Sequence, residues 1–121
     1  MFGRTGGEVL NGVYNKQFVC TAPPSPLTAS LSLLEAKEGF GQIVAEELTK
    51  LVRTSRQEAG CLFFDLYRIS GKHSAFALYE VWEQREAMHA HLCNIHTSRC
   101  NLAVEPYLAG PIQVFEFEEL L

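Results

Sequence analysis

Long apolar runs are missing from this chain: no stretch of its 121 residues approaches the roughly 20 consecutive apolar positions a helix needs to cross a bilayer, and no membrane partner is expected. Basic residues are also scarce. Ten Lys and Arg stand against 14 Asp and Glu, for a net charge of -4, and no basic stripe is present to neutralise a phosphate backbone, which argues against a nucleic-acid partner. The opening residues lack the basic-then-apolar order of a secretory leader, so a cytoplasmic location is expected. Cysteine is sparse and irregularly placed, at Cys20, Cys61, Cys93 and Cys100. That is too little for a disulfide framework in a chain able to bury a core, and free, mostly buried thiols are expected.

The chain does have apolar residues in quantity, 47% of the total, enough for one core at this length. Residues 1–25 read as an N-terminal arm: Gly-rich at first, then ending in the run Ala22-Pro23-Pro24-Ser25-Pro26, whose prolines withhold the donors of a central strand. Within it, Val13-Tyr14 and Phe18-Val19-Cys20 could lie against a neighbouring surface. The remaining residues, 26–121, form the domain. Leu27, Ala29, Leu31 and Leu33 alternate with Thr28, Ser30 and Ser32, the period of a strand with one buried face. Phe40, Ile43, Val44, Leu48, Leu51 and Val52 then recur at helical steps, predicting an amphipathic helix to about Gln57 that stops at Gly60.

Two aromatic and aliphatic runs, Cys61 to Ile69 and Ala75 to Trp82, flank Ser70-Gly71-Lys72-His73-Ser74, a loop of hairpin length. Helical composition follows over Glu83 to Leu92 and about His96 to Val104. After Gly110-Pro111 turns the chain, Ile112 to Phe117 predicts a last strand. Strand, helix, strand, strand, helix, strand is the split βαβ order of a ferredoxin-like α+β domain, a four-stranded antiparallel sheet with helices on one face. In the middle strands both alternating sets are apolar, so the helices leave one face bare. Pairing of two copies, sheet to sheet, is the economical cover, and a homodimer is expected.

The run Ser55-Arg56-Gln57-Glu58-Ala59-Gly60-Cys61-Leu62-Phe63-Phe64-Asp65-Leu66-Tyr67-Arg68, followed by Phe76 to Trp82, Ala90-His91-Leu92 and His96, resembles the antibiotic biosynthesis monooxygenase domain, a dimeric α+β barrel group. The resemblance covers about residues 27–117. It implies oxidation of a small quinol or phenol by O2 with no metal, flavin or haem cofactor: an ionised hydroquinone is electron-rich enough to reduce oxygen, so the protein binds the ring, removes a proton and excludes water.

The resemblance marks His91 as the first catalytic candidate, an imidazole titrating near the pH at which such a base works; a packing role is its bland alternative. Glu80 and Trp82 share a strand face with Phe76 and Leu78. A carboxylate there is either a pocket acid, base or anchor, or one half of a structural ion pair with Arg56 or Arg68. Trp82 either walls the pocket or packs the core. Asp65, Tyr67 and Phe63 share another face and are candidates for substrate contact, as are His96 and Arg68, with Tyr67 equally able to satisfy its hydroxyl on backbone. Tyr79 points away from Glu80. His89, Cys93, His96 and Cys100 are metal-ligand types that would form one stripe on an unbroken helix, but four ligands spread over nearly three turns cannot converge on one ion, and no metal is expected from them.

Three other functions compete. Haem-degrading relatives carry Trp where this chain has His91 and the ligand His where it has Asn101, which ranks haem chemistry low. An isomerase of a phosphorylated autoinducer resembles this chain at Glu58-Ala59-Gly60 and Gly110-Pro111, and Arg56, Arg68 and Arg99 are available to bind a phosphate. The third is a dimer that binds a small aromatic or quinone-like ligand without turnover.

Overall fold

A computed structural model of the chain describes residues 27–120; the N-terminal arm, with Cys20, lies outside the described residues. Eight elements follow in order: β1 (Thr28–Glu35), α1 (Gly41–Ser55), β2 (Cys61–Arg68), β3 (Ala75–Trp82), α2 (Arg85–Leu92), α3 (Ile95–Val104), a 3-10 turn (Glu105–Tyr107) and β4 (Gln113–Phe117). The strands form one sheet in the order β2-β3-β1-β4, every neighbouring pair antiparallel. This is the ferredoxin-like α+β arrangement that the order of sequence patterns predicts. Among the described residues no helix is long and apolar enough to cross a membrane.

The helix-facing side of the sheet carries Phe64 and Leu66 from β2, Phe76, Leu78, Glu80 and Trp82 from β3, and Leu34 from β1, closed over by Val44, Leu48, Leu51 and Val52 of α1 and Val104 of α3. Burial of one such aromatic or aliphatic side chain contributes about 1.5–3 kcal/mol, and Trp82, Phe64 and Phe76 are among the most deeply buried. The α1 stripe ends before Ile43 and Phe40, which stay partly exposed, Phe40 stacking on Tyr107 at a ring separation of 5.0 Å.

Strand β1 turns the opposite way from the simplest reading of its alternation. Thr28, Ser30 and Leu34 are buried under the helices, while Leu27 is exposed and Ala29, Leu31 and Leu33 are half-buried on the other face. The register gives the reason: Thr28 lies opposite Trp82, Ser30 opposite Glu80 and Ser32 opposite Leu78. Large side chains of β3 fill that layer, and small hydroxyl residues fit beside them. A bulge between Cys61 and Phe63 sets Cys61 opposite Trp82, on the helix side, and adds Leu62 as the extra residue.

The open face of the sheet therefore carries Phe63, Tyr67, Tyr79, Phe115 and Phe117 around Ala29, Leu31 and Leu33. All five aromatic side chains are substantially exposed. The described cysteines are free thiols; Cys100 is buried as expected, Cys61 is half-buried and Cys93 is exposed.

Candidate active site

Three segments meet at the end of the sheet where β3 stops. Glu80 and Trp82 point from β3 toward the helices, and both are buried. The chain turns at Glu83-Gln84 into α2, whose inner face buries Met88 and His91. It turns again at Cys93-Asn94, where the Asn94 side chain accepts from the His96 backbone N–H and caps α3. That break returns His96, in the first turn of α3, to within 6.2 Å of the His91 ring.

The third segment is the tight turn between α1 and β2. The Glu58 N–H donates to Ser55 O at 3.0 Å, and Cys61 N–H donates to Glu58 O at 3.2 Å. Gly60 has φ +83°, and a Cβ there would come within 2.6 Å of Ala87 Cβ on α2, so this position needs glycine for both its backbone and its close approach to the helix. The turn thus delivers the Glu58 carboxylate to the histidines.

Glu58 Oε2 lies 3.3 Å from His91 Nδ1 and also contacts His96 Nε2. Thr97 Oγ1 donates to the His91 carbonyl at 2.7 Å and stands 3.4 Å from Nδ1. With a carboxylate at Nδ1, the proton belongs on that nitrogen and the lone pair on Nε2. Nε2 faces Glu80, 4.0 Å from its Oε1. The His91 ring is fixed by Trp82 and Phe64, at centroid separations of 5.0 and 5.2 Å, and is only 2% exposed.

The same Glu80 Oε1 accepts the Trp82 indole N–H at 2.7 Å. Burial pushes the Glu80 carboxyl above the usual range; the Trp82 donor and the His91 imidazole offset part of that rise. At 4.0 Å from His91 Nε2 the Glu80 carboxyl is beyond direct hydrogen-bond reach and acts on the imidazole through its charge.

His91 and Glu80 both line a cavity of about 220 Å³ between the sheet and α1 and α3. Its walls are mostly apolar, among them Leu34, Leu48, Phe64, Leu78 and Val104, with Ser32, Thr97 and Asn101 as additional polar groups. Asn101 and Ile112 also border a wider surface depression of about 500 Å³ beside it.

The other residues singled out in the sequence lie elsewhere. Trp82 sits behind Glu80 and holds it. Phe63, Asp65 and Tyr67 are on the open sheet face, with Asp65 paired to Arg56 at 2.9 Å. Arg68 stacks over Phe76 and donates to His73 O, far along β2 from His91. Neither arginine pairs with Glu80, whose neighbours are Trp82, His91 and the Ser30 hydroxyl. His89 lies on α2, Cys93 in the turn after it, and His96 and Cys100 on α3, with His89 and Cys93 exposed and Cys100 buried. Glu58 and Thr97 carry no functional motif in the sequence. Glu58 is marked in the sequence only by preceding a glycine turn that leads into an edge strand.

Fold and cavity together define an α+β ferredoxin-like domain with a small, largely apolar internal pocket addressed by a histidine and a buried carboxyl. Residues 31–100 match the antibiotic biosynthesis monooxygenase family, and the chain belongs to it. It is 31% identical over 71 residues to the uncharacterized Bacillus subtilis protein YjcS, a match spanning 59% of this chain and 66% of that protein. Among solved structures, the Pseudomonas aeruginosa protein PA3566 superposes with a TM-score of 0.76 at 26% identity, over 83% of this chain and 100% of that one. Mycobacterium tuberculosis Rv0793 gives 0.73 at 22% identity, over 78% and 95%.

Proposed function

We propose that this protein is a cofactor-independent monooxygenase that oxidises a small quinol or phenol with O2, and that it works as a homodimer joined through the open sheet face. The observation that carries the reading is the orientation of His91. Glu58 engages Nδ1, leaving Nε2 as the proton acceptor at the wall of an apolar cavity, beside Glu80. A cavity of about 150 Å³ holds benzene, so the space here, about 220 Å³, suits one substituted ring or a compact fused pair.

In the proposed reaction His91 Nε2 takes the phenolic proton, and the Glu58 carboxylate stabilises the imidazolium that results. The electron-rich ring then reduces O2 and a carbon–oxygen bond forms at a ring carbon. The O–O bond breaks with return of the proton; one oxygen stays on the ring and the other leaves as water. The balance for a hydroquinone is quinol plus O2 giving hydroxyquinone plus water, so no external reductant is consumed. Apolar walls exclude bulk water from the ionised ring.

The phosphorylated-metabolite isomerase has less support. A phosphate needs cations at the pocket, and Arg56, Arg68 and Arg99 are not among the residues that line the cavity. Oxygen uptake with reduced menadione tests the monooxygenase reading. Uptake that needs the protein and falls in His91→Ala supports it, whereas a ligand that binds without oxygen consumption favours the non-catalytic dimer.

A further inference from the structure

The triad that orients His91 has the composition of a metal site. Glu58, His91 and His96 each offer one ligand atom, and those atoms all lie within 4.8 Å of one another. We propose that Glu58, His91 and His96 form a binding site for a first-row divalent transition metal ion of the Zn²⁺ class, with a two-histidine, one-carboxylate ligand set.

Two imidazoles and a carboxylate are borderline ligands that suit Zn²⁺, Co²⁺ and Fe²⁺ and are poor for the all-oxygen cations. Bonds of about 2.0–2.2 Å in a tetrahedral shell put neighbouring donor atoms roughly 3.4 Å apart. Glu58 Oε2 and His91 Nδ1 are separated by 3.3 Å, while His96 Nε2 touches the same carboxylate oxygen and would draw back to take its own position in the shell. The ligands come from a glycine-pinned turn, a buried helix face and a capped helix start, so each backbone position is fixed before an ion arrives. His91 is almost fully buried, but the His96 side chain is 24% exposed, so an ion can reach the site from the His96 side.

A second feature fits the same use. Histidines that ligate metals through one nitrogen commonly present the other to a carboxylate. His91 Nε2 faces Glu80, itself held by the Trp82 indole. An ion on Nδ1 would oblige His91 to carry its proton on Nε2, the nitrogen that the proposed monooxygenase reaction needs free. Metal occupancy and the base role therefore exclude one another, and Zn²⁺ acts as an inhibitor of turnover.

The test uses the full chain, stripped with chelator and free of any affinity tag, dialysed against Zn²⁺ or Co²⁺ with no substrate present. The expected result is one equivalent of ion per chain at micromolar concentration and a visible Co²⁺ absorption of low-coordinate type. His96→Ala and Glu58→Gln should weaken binding at least tenfold, and His89→Ala should leave it unchanged. Absence of stoichiometric binding, or unaltered affinity in His96→Ala, overturns the proposal. If Glu58→Gln does not fold, His96→Ala decides alone, because its side chain is partly exposed on the surface of α3. Binding is read without quinol, so its outcome is independent of whether the protein proves to be a monooxygenase.

Discussion

Glu58 Oε2 and His91 Nδ1 lie 3.3 Å apart although 33 positions separate them in the chain. The contact joins the turn ahead of an edge strand to the inner face of a short helix. It fixes which nitrogen of His91 faces the cavity.

Glu58→Gln keeps the shape of the side chain but removes the charge that stabilises an imidazolium. Steady-state oxygen uptake should fall by on the order of 10²- to 10³-fold, within the range that general base catalysis contributes. Most of the loss should appear in kcat, because Glu58 does not line the cavity and ring binding is retained.

Gly60→Ala should destabilise the fold and disturb the site together. A left-handed backbone costs a non-glycine residue about 1–2 kcal/mol, and the added methyl would meet Ala87 Cβ at 2.6 Å. Thermal unfolding should show a lower midpoint, with oxygen uptake reduced even where the protein is still folded, since the Glu58 turn must shift.

Much of the architecture could be read from the amino-acid pattern, because the strands and helices announce themselves through periods of two and near 3.6 residues. Which face of β1 meets the helices could not. Its apolar positions are the denser set, yet Thr28, Ser30 and Ser32 lie across the register from Trp82, Glu80 and Leu78, and only Leu34, opposite Phe76, brings a large apolar side chain of β1 into the helix-facing layer. The pocket was half legible. His91 and Glu80 stand out as polar groups among apolar neighbours, while Glu58 reaches the site only through a three-dimensional turn, and Phe63, Asp65 and Tyr67 are removed from it by the pleat of β2.

The open sheet face bears exposed Phe63, Tyr67, Tyr79, Phe115 and Phe117, and the proposed homodimer would bury them. Sedimentation velocity at micromolar concentration should give a dimer for the native chain and a monomer for Phe115→Lys. A native monomer under those conditions contradicts the proposed assembly.

Burial beside the Glu47 carboxylate pushes the Cys100 thiol up to about 11. The folded protein therefore keeps a proton that the unfolded chain loses near pH 9, so Cys100 adds stability below that pH and the contribution fades as pH rises toward 11. Denaturant titrations from pH 8 to 11 should show a steeper loss for the native protein than for Cys100→Ala. Alkylation mapped by mass spectrometry at pH 8.5 should label exposed Cys93 well before Cys100.

The central claim is that His91 Nε2 acts as a base within the cavity. Oxygen consumption with reduced menadione, measured under chelator for the native protein and for folded His91→Ala, tests it most directly. The account predicts protein-dependent uptake that drops by about 10²- to 10⁴-fold in the variant, with the dimer intact. Equal uptake by the two proteins, or none above the spontaneous rate with the native one, would contradict it.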